Sequence, residues 1–253
     1  MTNSISKTEI LEGLRQLGLR RGSVVLVHSS LSRFGRVVDG ADTVIDALLE
    51  SVGPRGTVMV PTLTGSPELS PSNPPVFDPV NTACWTGVIP ETFRKRPGAI
   101  RSLHPTHSVA AIGFEADSLT CEHRFSITPC DDLSPYGKLA RHPKGYVLLL
   151  GVGHECSTLF HHIEESAGVD YHIQTDFTAA QIVSGDHAIV RHYLLHQYGT
   201  PRNFAVMEQI FIERGIQRTA TIGSASVRLI DAPQMVATTL RCLRSSRRFL
   251  CRP

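Results

Sequence analysis

Two short, almost wholly apolar runs constrain the fold of this chain more than any other feature. They are Val24–Val27 and Thr57–Val60, and a polar turn follows each of them. Between the runs, a helix is predicted to start at Asp42, with apolar positions at helical spacing: Val44, Ile45, Leu48, Leu49 and Val52. Runs of this kind are typical of strands buried in a sheet. The strand–helix–strand order predicts a parallel sheet with right-handed crossovers.

The rest of the chain continues this alternation. The capping-box spacing of Ser6 and Glu9 predicts a first helix that ends near Gly18, and Tyr146–Leu150 predicts another buried strand. Further elements are predicted as a helix at 87–94, a strand at 109–112, a helix at 204–214, a strand region at 219–229 and a helix at 233–243. No linker or internal repeat interrupts the chain, so we expect one α/β domain over residues 1–253.

One long segment has no periodicity. Gly65–Asn81 is rich in proline and serine, and no regular element is predicted for it. A loop of this length in a compact domain usually covers a substrate site or is mobile.

Composition and charge argue against several classes of protein. A net charge of +2 gives no support for nucleic-acid binding, and no apolar run approaches the roughly 20 residues of a membrane-spanning helix. The six cysteines are scattered without a Cys-x-x-Cys pair, which argues against a structural zinc site and a secreted disulfide framework. The N-terminal residues lack a signal-peptide pattern. We therefore expect a cytoplasmic protein, monomeric or homodimeric, without nucleic-acid or membrane partners.

The segment after the strand at 146–150 is the richest in reactive side chains. Three histidines and three carboxylates lie between His154 and Glu165, where an α/β sheet presents its strand ends to a ligand. His161 and Glu164 are three residues apart, so they share a helix face. An imidazole oriented by a carboxylate is a general base, whereas a histidine near a helix start also commonly has only a structural role.

Polar clusters also follow the other two predicted strands, at His28–Ser32 and Pro61–Thr64. The carboxyl ends of parallel strands lie at one edge of a sheet, so these clusters can form one site. The segment Arg101–Ser108 precedes its strand, and it reaches the same edge only if that strand runs antiparallel.

Other chemistries fit the residues less well. His154, His161, His162 and Glu164 are candidate zinc ligands, but no His-Glu-x-x-His pattern is present, and adjacent helical residues 161 and 162 point about 100° apart. We therefore predict no metal. Gly151 and Gly153 lack the third glycine of a dinucleotide fingerprint, and no Gly-x-Ser-x-Gly elbow or Walker loop occurs.

Several motifs, taken together, resemble those of the aminoglycoside 3-N-acetyltransferase family. The motifs span nearly the whole chain in the family's order: Val27–Leu31 with Gly35, Gly56–Val58 with Pro61-Thr62, Arg101-Ser102-x-His104-Pro105-x-x-Ser108, Ser134-Pro135, and Gly151–Gly153 through Thr158-x-x-His161-x-x-Glu164. The resemblance implies a three-layer α/β/α sandwich around a mostly parallel central sheet. It also implies acetyl-CoA as co-substrate and transfer of its acetyl group to the 3-amino group of a 2-deoxystreptamine aminoglycoside.

The resemblance implies site residues as well. The catalytic histidine falls on His161 and its acid on Glu164, and His28 and His104 are candidates to stabilise the thioester oxyanion or to position substrate, if they are not simply structural. The residues expected along coenzyme A are Ser29, Ser30, Leu31, Ser32, Arg33, Phe34, Gly35, Thr62, Arg101, Ser102, His107 and Ser108.

A polycationic acceptor needs carboxylates. Six acids are expected to contact the acceptor: Glu68, Asp78, Asp131, Asp132, Glu165 and Asp170. Glu155 and Glu164 lie on the same loops. The segment 191–196 departs from the pattern, since several family members carry extra acids after the His-x-x-Glu helix and this segment has none. Three alternatives also stay open: N-acyl transfer to another amine, a non-catalytic antibiotic-binding protein, and a zinc amidohydrolase.

Overall fold

A computed structural model describes residues 4–252. Within this range the strands are β1 (Val24–Ser29), β2 (Thr57–Pro61), β3 (Val76–Phe77), β4 (Ile100–Arg101), β5 (Val109–Gly113), β6 (Gly145–Leu150), β7 (Ile173–Ser184), β8 (His187–His196), β9 (Gln217–Ile222) and β10 (Ala225–Asp231). The helices are α1 (Lys7–Leu17), α2 (Ala41–Val52), α3 (Val88–Phe93), α4 (Ala116–Thr120), α5 (Pro135–Arg141), α6 (Leu159–Ala167), α7 (Met207–Glu213) and α8 (Ala232–Ser245).

Local signals in the sequence set the ends of α1 as predicted. Ser6 and Glu9 form the reciprocal hydrogen bonds of a capping box, and Gly18 ends the helix in the left-handed conformation with φ of 96°. The apolar face of the helix, Ile10, Leu14 and Leu17, is buried.

The main sheet has seven strands in the order β4-β5-β2-β1-β6-β10-β9. The central strands β2, β1 and β6 are parallel, as predicted, and their apolar runs are buried on both faces. The outer strands pair antiparallel. The sheet is therefore mixed, with its parallel part at the centre, and the α/β fold class is confirmed.

Helices cover both faces of this sheet. One face packs against α1, α2 and α3 through a core that includes Leu14, Leu48 and Phe93. The other packs against α4 to α8 through residues such as Leu139 and Met235. No helix within the described range is both long enough and apolar enough to cross a membrane.

A second sheet, in the order β3-β7-β8, is not predicted by the patterns above. Its hairpin turns at Gly185-Asp186 and has a small core of its own, which includes Phe77 and Tyr193. Gly65–Asn81, expected to be a loop, is mostly irregular, but Val76–Phe77 within it pairs with β7. This pairing ties the segment to the hairpin.

Candidate active site

The carboxyl ends of β1, β2 and β6 meet at one edge of the main sheet, and α6 begins beside them. Strand β5 runs antiparallel to β2, with Val109 opposite Pro61, so the segment that precedes β5 reaches the same edge. Arg101–Ser108 was expected to reach this edge only if its strand runs antiparallel, and β5 does so. Gly151, directly after β6, has φ of 70°, and a Cβ atom there would lie 2.5 Å from Cβ of Arg33. Glycine at this position therefore lets the end of β6 lie against the Ser30–Arg33 turn.

His161 and Glu164 form a hydrogen-bonded pair in the first turns of α6. Nδ1 of His161 lies 3.0 Å from Oε2 of Glu164. The Glu164 side chain is fully buried, while 28% of the His161 side chain is exposed. The acid is therefore shielded from solvent, and the imidazole it orients remains accessible.

Two residues that sequence reasoning missed complete the surroundings of Glu164. Arg202 donates from Nε to Oε1 of Glu164 over 3.2 Å, and Nδ1 of His172 lies 3.4 Å from Oε2. The guanidinium compensates the charge of a carboxylate that burial would otherwise make costly. Both partners lie on segments outside α6, so spacing within the helix could not have identified them.

Glu165 holds a second histidine. Its Oε1 lies 2.8 Å from Nε2 of His196, at the end of β8, and it also accepts from Thr128 and from the amide of Cys130. Burial raises the pKa of Glu165 to about 8. The prediction that Glu165 binds the acceptor therefore needs correction, because its side chain is enclosed by these protein partners.

Four histidine rings line one side of the site. His161 stacks on His172 with ring centroids 4.9 Å apart, and His196 and His107 pack edge-on to His161 at 5.0 and 6.3 Å. Burial lowers the pKa values of His107, His172 and His196 well below the ordinary histidine value, so these three rings are neutral at pH 7.

Three neighbouring spaces share lining residues near His161, and together they are called the channel here. A serine groove of about 630 Å³ is lined by Ser29–Ser32, Gly35, Val37, Gly40 and Trp85–Val88. A histidine cavity of about 610 Å³ is lined by the four histidines together with other residues that include Leu63, Glu155, Tyr198 and Arg202. A narrow passage of about 280 Å³ lies between them. It shares Ser29, Trp85 and Thr86 with the groove and Leu63, Trp85, Glu155 and His161 with the cavity. His161 thus lines both the passage and the cavity.

Two buried hydroxyls without a partner belong to residues that line the passage. Oγ of Ser29 and Oγ of Ser157 make no hydrogen bond within the described part of the chain, and both residues line the passage. Buried hydroxyls are normally paired, so these two are available to a bound molecule.

The residues predicted along coenzyme A fall into two groups. Ser29, Ser30, Leu31, Ser32 and Gly35 line the serine groove, and the exposed Arg33 lies within the same turn. The others do not line the groove: Phe34, Thr62, Arg101, Ser102, His107 and Ser108.

Each residue of this second group has another role in the structure, so the prediction that it lies along coenzyme A is corrected. The Phe34 side chain is fully buried in the core. Thr62 and Ser108 share a hydrogen bond of 2.9 Å and both accept from Nε of Arg101, while Ser102 pairs with His123 at 2.8 Å. The Thr62–Arg101–Ser108 cluster holds β2 and the segment before β5 together. His107 lines the histidine cavity instead.

The other predicted histidines lie in different surroundings from one another. His28 lines the narrow passage, where its Nε2 accepts the amide of Thr158 over 3.4 Å, and burial lowers its pKa to about 3. His104 is fully buried behind His107 and stacks on His123 at 4.7 Å, so the prediction of a catalytic role is corrected to a structural one. His154 and His162 bond to Gln217 and to the carbonyl of Cys130, away from Glu164.

The acids predicted to meet the acceptor do not line the channel in the range 4–252, although Glu68 is exposed next to the cavity residue Pro67. Asp78 caps the turn at 80–81, and Asp131 caps the segment 126–133. Asp132 and Asp170 pair with Arg141 and Arg248. The exposed Glu155, by contrast, lines both the passage and the cavity, and its Oε1 accepts the amide of Gly153 over 3.0 Å.

Comparisons with known proteins agree with this geometry. The family model described as aminoglycoside 3-N-acetyltransferase matches residues 26–244. An aminoglycoside N(3)-acetyltransferase VII from Streptomyces paromomycinus is 32% identical, over 92% of this chain and 89% of the relative. A type IV enzyme from Salmonella sp is also 32% identical, over 92% and 85%.

Solved structures give the same result. A variant of aminoglycoside acetyltransferase AAC(3)-IVa in complex with a gentamicin has a TM-score of 0.86 and 30% identity, and covers 100% of this chain and 93% of its own. AAC-IIIb in a binary complex with CoASH has a TM-score of 0.81 and 29% identity, and covers 96% and 97%. The chain belongs to the aminoglycoside 3-N-acetyltransferase family.

Proposed function

We propose that this chain, acting as a single domain over residues 1–253, transfers the acetyl group of acetyl-CoA to the 3-amino group of a 2-deoxystreptamine aminoglycoside. The amine attacks the thioester directly, with both substrates bound at once. The observation that carries this proposal is the position of His161 between two spaces of one channel. A donor that enters from the serine groove and an acceptor in the histidine cavity meet at this side chain.

The donor end of the channel suits coenzyme A. The turn after β1 offers serine hydroxyls and backbone N–H groups, which are suited to phosphate and amide groups of an extended ligand. The unpartnered Oγ of Ser29 lies at the junction of groove and passage. The solved relative with CoASH supports coenzyme A as the ligand of this fold.

His161 acts as the general base in this proposal. Glu164 accepts the hydrogen from Nδ1, which leaves the lone pair of Nε2 to take the proton that the acceptor amine loses on attack. The buried carboxylate then stabilises the imidazolium, which gives its proton to the CoA sulfur as the C–S bond of the tetrahedral intermediate breaks. Such assistance is typically worth about 10²–10⁴-fold in rate.

The tetrahedral intermediate needs hydrogen-bond donors for its oxyanion. Oγ of Ser157 is buried and unpartnered, and Ser157 lines the passage, so this hydroxyl is the proposed donor after rotation of its side chain. Removal of one oxyanion donor costs about 10²–10³-fold in turnover in a well-characterised hydrolase.

The acceptor end combines one exposed acid with neutral rings. Glu155 can pair with an ammonium group of the acceptor, and the neutral state of His107, His172 and His196 keeps the cavity from repelling a cation. Tyr198 and Trp85 offer aromatic faces, which attract cations and pack on sugar rings.

One observation favours a second candidate, N-acyl transfer to an amine that carries fewer charges. Glu155 is the only carboxylate among the described residues that line the passage and the cavity, while Arg202 contributes a positive charge to the cavity. A polycation would gain less in such a cavity than in an acid-rich one.

The test is release of free CoA thiol from acetyl-CoA with a panel of 2-deoxystreptamine aminoglycosides and a chelator-treated control. Release that requires an aminoglycoside and survives the chelator supports the proposal, and NMR of the product checks that the 3-amino group is acetylated. No release with any aminoglycoside, with acetyl-CoA still bound, favours the second candidate. Failure to bind acetyl-CoA contradicts both.

A further inference from the structure

We propose that His161, His172 and His196 form a binding site for a divalent transition-metal ion of the zinc type, and that occupation of this site blocks acetyl transfer. The histidines come from α6, the segment before β7 and the end of β8. All three line the histidine cavity, so an ion can reach them from solvent. Metal binding does not depend on the proposed function, whereas the inhibition does.

The three rings are close enough to share an ion. Each offers one nitrogen within 4.8 Å of the other two, and the ring centroids are 4.1 to 5.0 Å apart. Tetrahedral zinc with Zn–N distances of about 2.0–2.1 Å requires its nitrogens to lie about 3.4 Å from one another. The nitrogens therefore have to move closer together by at most about 1.4 Å when the ion binds.

Two buried acidic side chains orient the rings from behind. Glu164 bonds to Nδ1 of His161, and Glu165 bonds to Nε2 of His196, so Nε2 of His161 and Nδ1 of His196 are left for an ion. A ligand histidine in a metal site usually gives its other nitrogen to a carboxylate in this way. The cluster therefore has the second layer of contacts that an incidental group of histidines lacks.

His172 supplies an independent observation. Its side chain is only 2% exposed, and its Nε2 has no hydrogen-bond partner within residues 4–252. Without metal, Nη2 of Arg202 donates to Nδ1 over 3.0 Å, so the ring proton is on Nε2. Metal binding shifts this proton to Nδ1, which then donates to Oε2 of Glu164, at 3.4 Å. Arg202 keeps the carbonyl of Tyr171 as an acceptor for Nη2, at 3.3 Å.

The chemistry of the ligands selects the ion. Three neutral imidazoles suit zinc, nickel and copper rather than magnesium or calcium, which prefer oxygen ligands. A water molecule from the cavity fills the fourth position. The ion takes the lone pair on Nε2 of His161, so the general base of the proposed reaction cannot accept a proton.

The first experiment measures binding without reference to activity. Chelator-stripped full-length protein competes with a chromophoric chelator for Zn²⁺, and Co²⁺ serves as a spectroscopic probe. We expect one Zn²⁺ per chain and the intense visible bands of tetrahedral Co²⁺. We expect His172→Gln and His196→Gln each to weaken binding by more than tenfold, because even changes behind the ligands cost about 10–100-fold. His192→Gln, at an exposed position on β8, is the matched control and should bind like the wild type.

Equal Zn²⁺ affinity in the wild type and both cavity variants overturns the site, as does a Co²⁺ spectrum of the six-coordinate aqueous kind. Thermal unfolding of each variant checks that it is folded, and the Co²⁺ spectrum of the wild type tests the site without any substitution. In the thiol-release assay, Zn²⁺ should lower turnover in proportion to occupancy. Unchanged or increased release at full occupancy overturns the inhibition, and absence of release without Zn²⁺ contradicts the proposed function while the binding result stands.

Discussion

Glu164 and Glu165 are adjacent on α6, yet Oε2 of Glu164 lies 3.0 Å from Nδ1 of His161 and Oε1 of Glu165 lies 2.8 Å from Nε2 of His196. One turn of α6 thus orients His161 on the same helix and His196 at the end of β8. Displacement of α6 would disturb both histidines together. The geometry of the site therefore depends on contacts between α6 and the second sheet.

His161→Ala should lower turnover by about 10²–10⁴-fold, the usual contribution of a general base. Affinity for CoA should stay nearly unchanged, because the serine groove is intact. Steady-state thiol release and calorimetric titration with CoA measure the two effects, with His192→Ala as the control for loss of an exposed histidine. Near-normal turnover in His161→Ala would remove His161 from the mechanism.

Glu164→Gln should lower turnover less than His161→Ala does, because the imidazole remains in place. It should also cost about 3–5 kcal/mol of stability, since Arg202 loses its buried counter-charge. Paired measurements of thiol release and urea unfolding separate the two effects. Turnover equal to that of the wild type would reduce Glu164 to a structural role.

Ser157→Ala should lower turnover by about 10²–10³-fold with little change in acceptor KM, if its hydroxyl meets the oxyanion. Stability should change little, because the hydroxyl has no protein partner to lose in the described residues. The split between turnover and KM, measured in the thiol assay, is the readout. An unchanged turnover number would contradict this role.

Glu155→Gln should raise the KM for a cationic acceptor by about fivefold, because an exposed charge pair contributes roughly 1 kcal/mol to binding. The amide oxygen can still accept from Gly153, so the loop should keep its conformation. Asp170→Asn is the matched control, since Asp170 pairs with Arg248 outside the channel. The Glu155 role fails if both variants have the same KM.

Acid should destabilise the fold through His123. Its Nδ1 pairs with Ser102, its Nε2 donates to the carbonyl of Pro129, and burial lowers its pKa from 6.5 to about 4. The unfolded chain therefore binds more protons than the folded one between these values, so this contribution is complete above pH 6.5 and is lost as the pH falls towards 4. His123→Gln should reduce the pH slope of the unfolding free energy by about 1.4 kcal/mol per pH unit within this window. Urea unfolding at pH 5 and pH 7, with chelator present, measures it, and an unchanged slope would contradict it.

Features determined by neighbours in the chain were predictable. The capping box of α1 and the His161–Glu164 pair each depend on residues three positions apart. The parallel centre of the sheet followed from apolar runs, because strands buried on both faces require them.

Features determined by distant partners were not predictable. His172 precedes the β7–β8 hairpin, His196 ends it and Arg202 follows it. The hairpin does not alternate apolar and polar residues regularly, since it exposes Phe177 and Ile189. Glu165 and Asp170, which were predicted to bind the acceptor, also have distant partners, His196 and Arg248. The sequence shows that a carboxylate is present. Whether that carboxylate can bind a ligand depends on whether it is paired with a residue such as Arg141 or Arg248.

The serine groove and the histidine cavity are separate spaces, and the passage that His161 lines lies between them. In the proposed reaction, acetyl-CoA occupies the groove and the acceptor occupies the cavity, so each substrate has a space of its own. Water can follow the acceptor's route when the cavity is empty. We therefore expect slow hydrolysis of acetyl-CoA as a background reaction when no acceptor is bound.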